Sequence, residues 1–140
     1  MIYLDTSVAL KAVLAEPESP TVLTWMRERI DAAEIIVSSR LLRTEMYRVA
    51  YREDLPTDQV DLILDKVNLI DLDRLIVDAA AAINHHVKTL DAIHLATAVQ
   101  LIEDGIVLCT HDRAKADVGE RLGLTVLGPT GLGQAQPATP

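Results

Sequence analysis

Residues 1–7 read MIYLDTS. In this stretch a short apolar run is followed directly by a carboxylate, and both features bear on the fold. Ile2, Tyr3 and Leu4 predict a strand that enters the protein interior. Asp5 stands at the end of that strand, and burying even part of a carboxylate is unfavourable unless its charge is compensated. The stretch therefore predicts a buried first strand whose end carries an acid that needs a partner.

Three further short runs rich in β-branched residues predict strands, and stretches with helical periodicity separate them. The predicted strands cover residues 1–4, 34–38, 106–110 and 124–128, and the predicted helices cover residues 19–30, 38–54, 56–67, 73–86 and 89–104. Strands that alternate with helices indicate a parallel sheet with helices on both faces. We therefore predict an α/β fold.

The composition indicates one soluble, acidic domain. The chain has 140 residues, 49% of them hydrophobic, and its 21 acidic and 13 basic side chains give a formal net charge of −8. The overall field of such a protein does not attract nucleic acid, so a polyanionic partner would require cations or a local basic patch. No apolar run approaches the roughly 20 residues that span a bilayer, and no basic segment precedes the first apolar run. We predict a cytoplasmic protein without membrane contact.

Two acids follow predicted strands. Asp5 follows the first strand, and Asp112 follows the strand at residues 106–110. Parallel strands share one carboxyl edge, where ligands bind in α/β proteins. Each acid also precedes a helix, and for either residue taken alone helix N-capping is the better explanation.

Two more acids border apolar helix faces. Asp91 heads a helical row that contains His94 and the apolar residues Leu95, Ala98, Leu101 and Ile102. A favourable charge near the helix N-terminus explains an acid there but not its place on the apolar face. Glu45 lies at the edge of the side formed by Leu42, Met46, Val49 and Ala50. Alternatively, Glu45 forms an i,i+3 ion pair with Arg48 on the surface of the helix.

Four carboxylates gathered at one edge would repel one another and raise each other's pKa values. A hard divalent cation removes this problem, because Mg²⁺ and Mn²⁺ prefer oxygen ligands and are often held by a few carboxylates and waters. We therefore predict a Mg²⁺ or Mn²⁺ site formed by Asp5, Glu45, Asp91 and Asp112.

The sequence resembles the PIN-domain ribonucleases. YLDTSVAL at the start, RTEMYRV around Glu45, TLDAIHLATA and CTHDRA follow the order and spacing of that family. The small size is similar to that of the VapC toxins of toxin–antitoxin pairs. The resemblance covers residues 1–127 as one PIN domain and implies a three-layer α/β/α fold with a central parallel sheet of four to five strands. The Gly/Pro/Ala-rich residues 128–140 are expected to form a disordered tail.

The resemblance also implies a function. It implies a metal-dependent ribonuclease toxin that hydrolyses RNA phosphodiester bonds, is neutralised by a VapB-type antitoxin and forms a homodimer. The same four acids would be catalytic and metal-binding, with Ser7 and Thr110 supporting them by hydrogen bonds.

The predicted helix at residues 38–54 offers two faces to partners. Arg48 and Arg52, on the Glu45 side, are candidate contacts to RNA phosphates. Another face carries Arg40, Arg43, Tyr47 and Tyr51. This second face suits RNA or a protein partner, and we favour the protein.

Three alternatives remain open: an inactive PIN-fold binding module, a receiver-like binding module, and a PIN nuclease that processes RNA without a toxin role. A receiver needs an early acidic pair and a lysine after a late strand, and we identify neither. A phosphatase of the haloacid dehalogenase type would carry a second Asp where this chain has Ser7. The presence of all four acids argues against an inactive module.

Overall fold

The computed structural model describes residues 1–128, in which strands and helices alternate. The strands are β1 (Ile2–Leu4), β2 (Ile36–Ser39), β3 (Asn68–Ile70), β4 (Val107–Cys109) and β5 (Thr125–Leu127). The helices are α1 (Thr6–Ala9), α2 (Ser19–Asp31), α3 (Leu41–Arg52), α4 (Thr57–Leu64), α5 (Arg74–Ala81), α6 (Thr89–Val99) and α7 (Arg113–Arg121). None of the helices in this part of the chain is long and apolar enough to cross a membrane.

The five strands form one parallel sheet in the order β3-β2-β1-β4-β5. The central strand β1 pairs with β2, where Ile2 lies opposite Ile36, and with β4, where Leu4 lies opposite Cys109. Successive side chains of a strand point to opposite faces, so β1 contributes to the core on each side of the sheet. The predicted α/β fold with a parallel sheet of four to five strands is confirmed.

Two hydrophobic cores cover the two faces of the sheet. One core packs Ile2 and Leu4 of β1 against α1, α2, α3 and α4, and includes Trp25 and Met46. The other packs Tyr3 against α6 and α7, and a smaller cluster between α5 and α6 extends it. The alternation within residues 2–4 therefore builds both outer helical layers, which confirms the three-layer α/β/α prediction.

β3 was not predicted, and four helices are shorter than predicted. The helix predicted at residues 38–54 is α3, Leu41–Arg52, because Ser38 and Ser39 belong to β2. β3 is a three-residue edge strand with exposed Asn68, so it lacks the continuous apolar run of a buried strand. α4 ends at Leu64, and α5 ends at Ala81. α6 ends at Val99 and is followed by a short 3₁₀ turn, Ile102–Asp104, which Gly105 ends with a positive φ of 77°.

The predicted tail begins at Gly128, and its remaining residues, 129–140, lie outside the described residues. The domain boundary at residue 127 therefore stays a prediction.

Candidate metal centre

The strand order reverses at β1, which lies between β2 and β4. Such a reversal opens a crevice at the carboxyl ends of parallel strands, and ligands bind there in α/β proteins. Asp5 directly follows β1, and Thr110 and Asp112 follow β4. Two of the four predicted acids therefore reach one crevice from strands that are far apart in the sequence.

Asp5 is fully buried, and hydrogen bonds hold its carboxylate. Its Oδ2 accepts from Ser7 Oγ at 2.6 Å, from Thr110 Oγ1 at 2.9 Å and from the Ser7 backbone N–H at 3.3 Å. The last contact makes Asp5 the N-cap of α1. Capping uses only Oδ2 and leaves Oδ1 for other contacts. Asp5 can therefore cap α1 and bind a metal ion at the same time.

The other oxygen of Asp5 contacts a lysine. Lys115 Nζ, on α7, lies 2.6 Å from Asp5 Oδ1 and 3.0 Å from Asp91 Oδ1. The Lys115 side chain is only 5% exposed, and that of Asp91 is 21% exposed. One buried ammonium group therefore joins the acid that follows β1 to the acid that begins the inner face of α6.

Glu45 on α3 is held by hydrogen bonds from Thr6 and from the fully buried His94. Its Oε1 lies 2.6 Å from both Thr6 Oγ1 and His94 Nε2. On the other side of the imidazole, His94 Nδ1 lies 2.7 Å from Tyr3 OH, which accepts from the Ser39 backbone N–H at 3.1 Å. The two ring nitrogens of His94 therefore bridge the Tyr3 hydroxyl and the Glu45 carboxylate, and Nε2 donates to Glu45 because a carboxylate only accepts.

Asp112 is the N-cap of α7, and its Oδ1 accepts from the Lys115 backbone N–H at 3.0 Å. Its own backbone N–H donates to Thr110 Oγ1 at 3.0 Å, and the same hydroxyl donates to the Asp5 carboxylate. A cleft of about 360 Å³ lies beside this residue and is lined in part by Ser7 and Asp112. Asp112 therefore adjoins the network around Asp5 from a partly exposed position.

The structure places the two arginine candidates on the surface of α3. Arg48 and Arg52 are both exposed, and Arg52 Nε lies 3.4 Å from Glu53 Oε1. The ion pairs of residues 1–128 include none between Glu45 and Arg48. The alternative explanation of Glu45 as half of a surface pair is therefore wrong, because Glu45 turns instead to His94.

The second face of α3 carries an exposed aromatic cluster. The Arg43 guanidinium lies 4.8 Å from the centre of the Tyr47 ring, and the Tyr47 and Tyr51 rings stack with centroids 6.4 Å apart. Tyr51 is 66% exposed. Tyrosine and arginine are enriched at protein interfaces, so the partner-surface interpretation of this face stays a prediction.

The network shifts the pKa values of its members. Burial acts to raise the pKa of Asp5, but the Lys115 ammonium, His94 and hydrogen bonds outweigh it and hold this pKa below its ordinary value. Burial likewise acts to raise the pKa of Glu45, and the hydrogen bond from His94 is the main influence that lowers it overall. Burial acts to lower the pKa of Lys115, but Asp5 and Asp91 raise it above its ordinary value.

The lowered pKa of Asp5 predicts a loss of stability in acid. An unfolded Asp has a pKa of about 3.9. The stability that ionised Asp5 contributes is therefore complete above this pH and is lost as the pH falls through the lower folded pKa. In metal-free buffer, we expect the free energy of unfolding to fall between about pH 5 and pH 2 more steeply in the wild type than in Asp5→Asn.

Urea titration at each pH measures this difference. Asp117→Asn changes an exposed residue of α7 and should keep the pH dependence of the wild type. An equal acid loss in Asp5→Asn and in the wild type would contradict the prediction.

The donor chemistry of the site fits a hard divalent ion. All four predicted ligands offer carboxylate oxygens, and Asp5 and Asp91 converge on one cationic group. Within residues 1–128, however, no three His, Cys, Asp or Glu side chains are grouped closely enough to hold a metal ion together. Glu45 and Asp112 would therefore reach an ion through water.

Lys115 was not among the predicted site residues, although the sequence contains a signal for it. Lys115, Val118, Gly119 and Leu122 lie on one face of a helix, by the same spacing that identified Asp91. Lys115, Val118 and Gly119 are buried. A lysine at the head of an apolar row therefore indicated a buried cation.

We predicted that the lysine of a receiver module is absent, and this prediction was wrong. Lys115 follows the late strand β4. The early acidic pair of a receiver is still absent, since Thr6 and Ser7 follow Asp5. The position of Lys115 therefore does not by itself make the chain receiver-like.

Comparison with known proteins places the chain in a family. The family model described as PIN domain matches residues 2–120. The chain belongs to the PIN domain family.

Curated relatives within this family carry a common name. Ribonuclease VapC46 of Mycobacterium tuberculosis is 34% identical over 131 residues, which cover 92% of this chain and 98% of the relative. Ribonuclease VapC47 of the same species is 30% identical over 132 residues, which cover 92% of this chain and 97% of the relative. The resemblance to VapC-type PIN ribonucleases that the sequence indicated is confirmed.

Solved structures share the fold. VapBC2 from Rickettsia felis, bound to a DNA fragment from its promoter, has a TM-score of 0.66 at 15% identity and covers 91% of this chain and 98% of its own. FitAcB from Neisseria gonorrhoeae has a TM-score of 0.65 at 17% identity and covers 94% of this chain and 100% of its own. At these identities the likeness concerns the architecture of the domain.

Proposed function

We propose that this chain is a VapC-type endoribonuclease toxin that hydrolyses RNA phosphodiester bonds with Mg²⁺ or Mn²⁺. One observation carries the proposal: Asp5, Asp91 and Asp112 adjoin one network of hydrogen bonds and ion pairs at the carboxyl edge of a PIN-family sheet. A second network holds Glu45 through Thr6, the residue next to Asp5 in the chain. The ribonuclease names of relatives that are 30–34% identical over nearly the whole chain support the same reaction.

Asp5, Glu45 and Asp91 would hold a first divalent ion, directly or through water, and Asp112 would complete that site or position a second ion. A bound Mg²⁺ or Mn²⁺ supplies an activated water and stabilises the developing negative charge on the phosphate and its leaving group.

The chain's own residues prepare these carboxylates. The hydroxyls of Ser7 and Thr110 fix one oxygen of Asp5, so the other oxygen keeps a single orientation toward the crevice. Thr6 and His94 fix Glu45 in the same way through Oε1. Such outer hydrogen bonds hold metal ligands in a productive geometry before the ion arrives.

Substrate and partner contacts complete the proposal. The net charge of −8 opposes binding of a polyanion, so exposed Arg48 and Arg52 would supply local contacts to RNA phosphates.

A cognate VapB-type antitoxin would neutralise the toxin, and the exposed face with Arg43, Tyr47 and Tyr51 suits a protein partner such as the antitoxin or a second copy. Two structural neighbours, VapBC2 and a toxin–antitoxin complex from Klebsiella pneumoniae, support such pairing.

Incubation of the purified protein with RNA, with Mg²⁺, with Mn²⁺ and with EDTA, tests the proposal. We expect internal cleavage with either metal and none in EDTA, and a protein that binds but never cuts RNA would favour the inactive binding module. A second test is induced expression in cells. Growth arrest that is relieved by a small antitoxin encoded next to the gene would support the toxin role. Cleavage without growth arrest would favour RNA processing.

A further inference from the structure

Lys115 brings a buried ammonium group into the candidate centre. Its Nζ lies 2.6 Å from Asp5 Oδ1 and 3.0 Å from Asp91 Oδ1, and these are the only ion pairs of the two acids within residues 1–128. We propose that Lys115 is a resident cation that competes with the divalent ion for Asp5 and Asp91 and thereby lowers the metal affinity of the centre. This inference rests on the proposed metal-dependent function.

Burial makes the ion pair necessary to the metal-free protein. The Asp5 side chain is 0% exposed, and that of Lys115 is 5% exposed. An unpaired buried charge destabilises a fold strongly, so each of these groups requires the other in the absence of metal. The ammonium therefore allows the chain to fold with Asp5 ionised before any ion binds.

The same geometry makes the ammonium and a divalent ion mutually exclusive at these oxygens. Asp5 Oδ2 already accepts three hydrogen bonds, so Oδ1 is the oxygen that a metal would use, and Lys115 contacts Oδ1. Two cations that share one carboxylate oxygen repel each other at short range. Metal binding therefore requires Lys115 to withdraw, which its flexible four-carbon stem permits.

Calorimetric titration of Mn²⁺ into metal-free protein tests this competition. We expect Lys115→Met, which keeps an unbranched side chain one atom shorter and without charge, to bind Mn²⁺ at least about tenfold more tightly than the wild type, or about 1.4 kcal/mol. Its thermal midpoint should be lower without metal and should rise more on adding Mn²⁺. Lys66→Met, at an exposed position, is the matched control and should behave as the wild type.

The outcomes separate the two proposals. Equal Mn²⁺ affinity in Lys115→Met and the wild type would overturn the competition and leave the metal centre intact. Mn²⁺ binding to neither protein would overturn both proposals.

A measurement on the wild type covers the case in which Lys115→Met does not fold. A buried, paired ammonium gives a side-chain ¹⁵N resonance that can be followed while diamagnetic Mg²⁺ is added. We expect saturating Mg²⁺ to shift or abolish the Lys115 resonance and to leave that of Lys66 unchanged. A Lys115 resonance that stays in place at saturation would overturn the proposal.

Discussion

Asp5→Asn is expected to reduce metal-dependent RNA cleavage to background. The substitution keeps the shape of the side chain and its capacity to cap α1, but it removes the charge that a divalent ion requires. It also leaves Lys115 with Asp91 as its remaining carboxylate partner. Because breaking a buried ion pair typically costs about 3–5 kcal/mol, we expect a loss of stability of this order as well.

A second variant separates the chemical effect from the structural one. Asp91 is 21% exposed, and its ion pair with Lys115 is therefore less buried than that of Asp5. Asp91→Asn should lose cleavage equally but cost less in the free energy of unfolding, as measured by urea titration. Asp117→Asn should retain both properties. Metal-dependent cleavage by pure Asp5→Asn protein would refute the assignment of this residue.

His94→Leu is expected to weaken metal binding although His94 is not a predicted ligand. Leucine fills a similar volume but removes the hydrogen bonds to Glu45 and Tyr3, whose oxygens lie within 2.7 Å of the imidazole nitrogens. Loss of a hydrogen bond that orients a metal ligand typically lowers metal affinity or activity by about 10- to 100-fold. Each buried polar group left without a partner costs about 1–3 kcal/mol in addition.

Calorimetric titration of Mn²⁺ measures the positioning role of His94, because a purely structural residue would change stability without changing affinity in the folded protein. Tyr3→Phe removes only the hydroxyl at the far end of the chain of hydrogen bonds and should produce a smaller change in the same direction. His86→Leu, at an exposed position, serves as the control. Wild-type Mn²⁺ affinity in folded His94→Leu would show that Glu45 does not depend on this contact.

Local patterns were sufficient for most of the fold. The alternation within residues 2–4 predicted the central strand, and its side chains do enter both cores. β3 escaped prediction because an edge strand of three residues with a polar first position has no distinctive periodicity. Its existence is decided by pairing with β2, which is a long-range interaction that no window of sequence contains.

Members of the candidate site could be predicted where a charged residue stands in an otherwise apolar row on one helical face. This signal selected Asp91, and the same signal applied to α7 selects Lys115. The partners of Glu45 were not predictable in this way, because His94 lies on another helix and reaches Glu45 only after α3 and α6 pack on the sheet. Helical spacing placed His94 in the row headed by Asp91, and the structure shows it buried and hydrogen-bonded to Glu45.

The position of β1 between β2 and β4 has a consequence for biosynthesis. The centre draws on residues from Tyr3 to Lys115, so its contributors are synthesised at widely separated times. β1 can dock on β2 early, but it gains its second neighbour only when residues 107–109 have been made. Contacts of such long sequence separation also form slowly. The ion pairs of the candidate centre therefore form only after Lys115 has been synthesised.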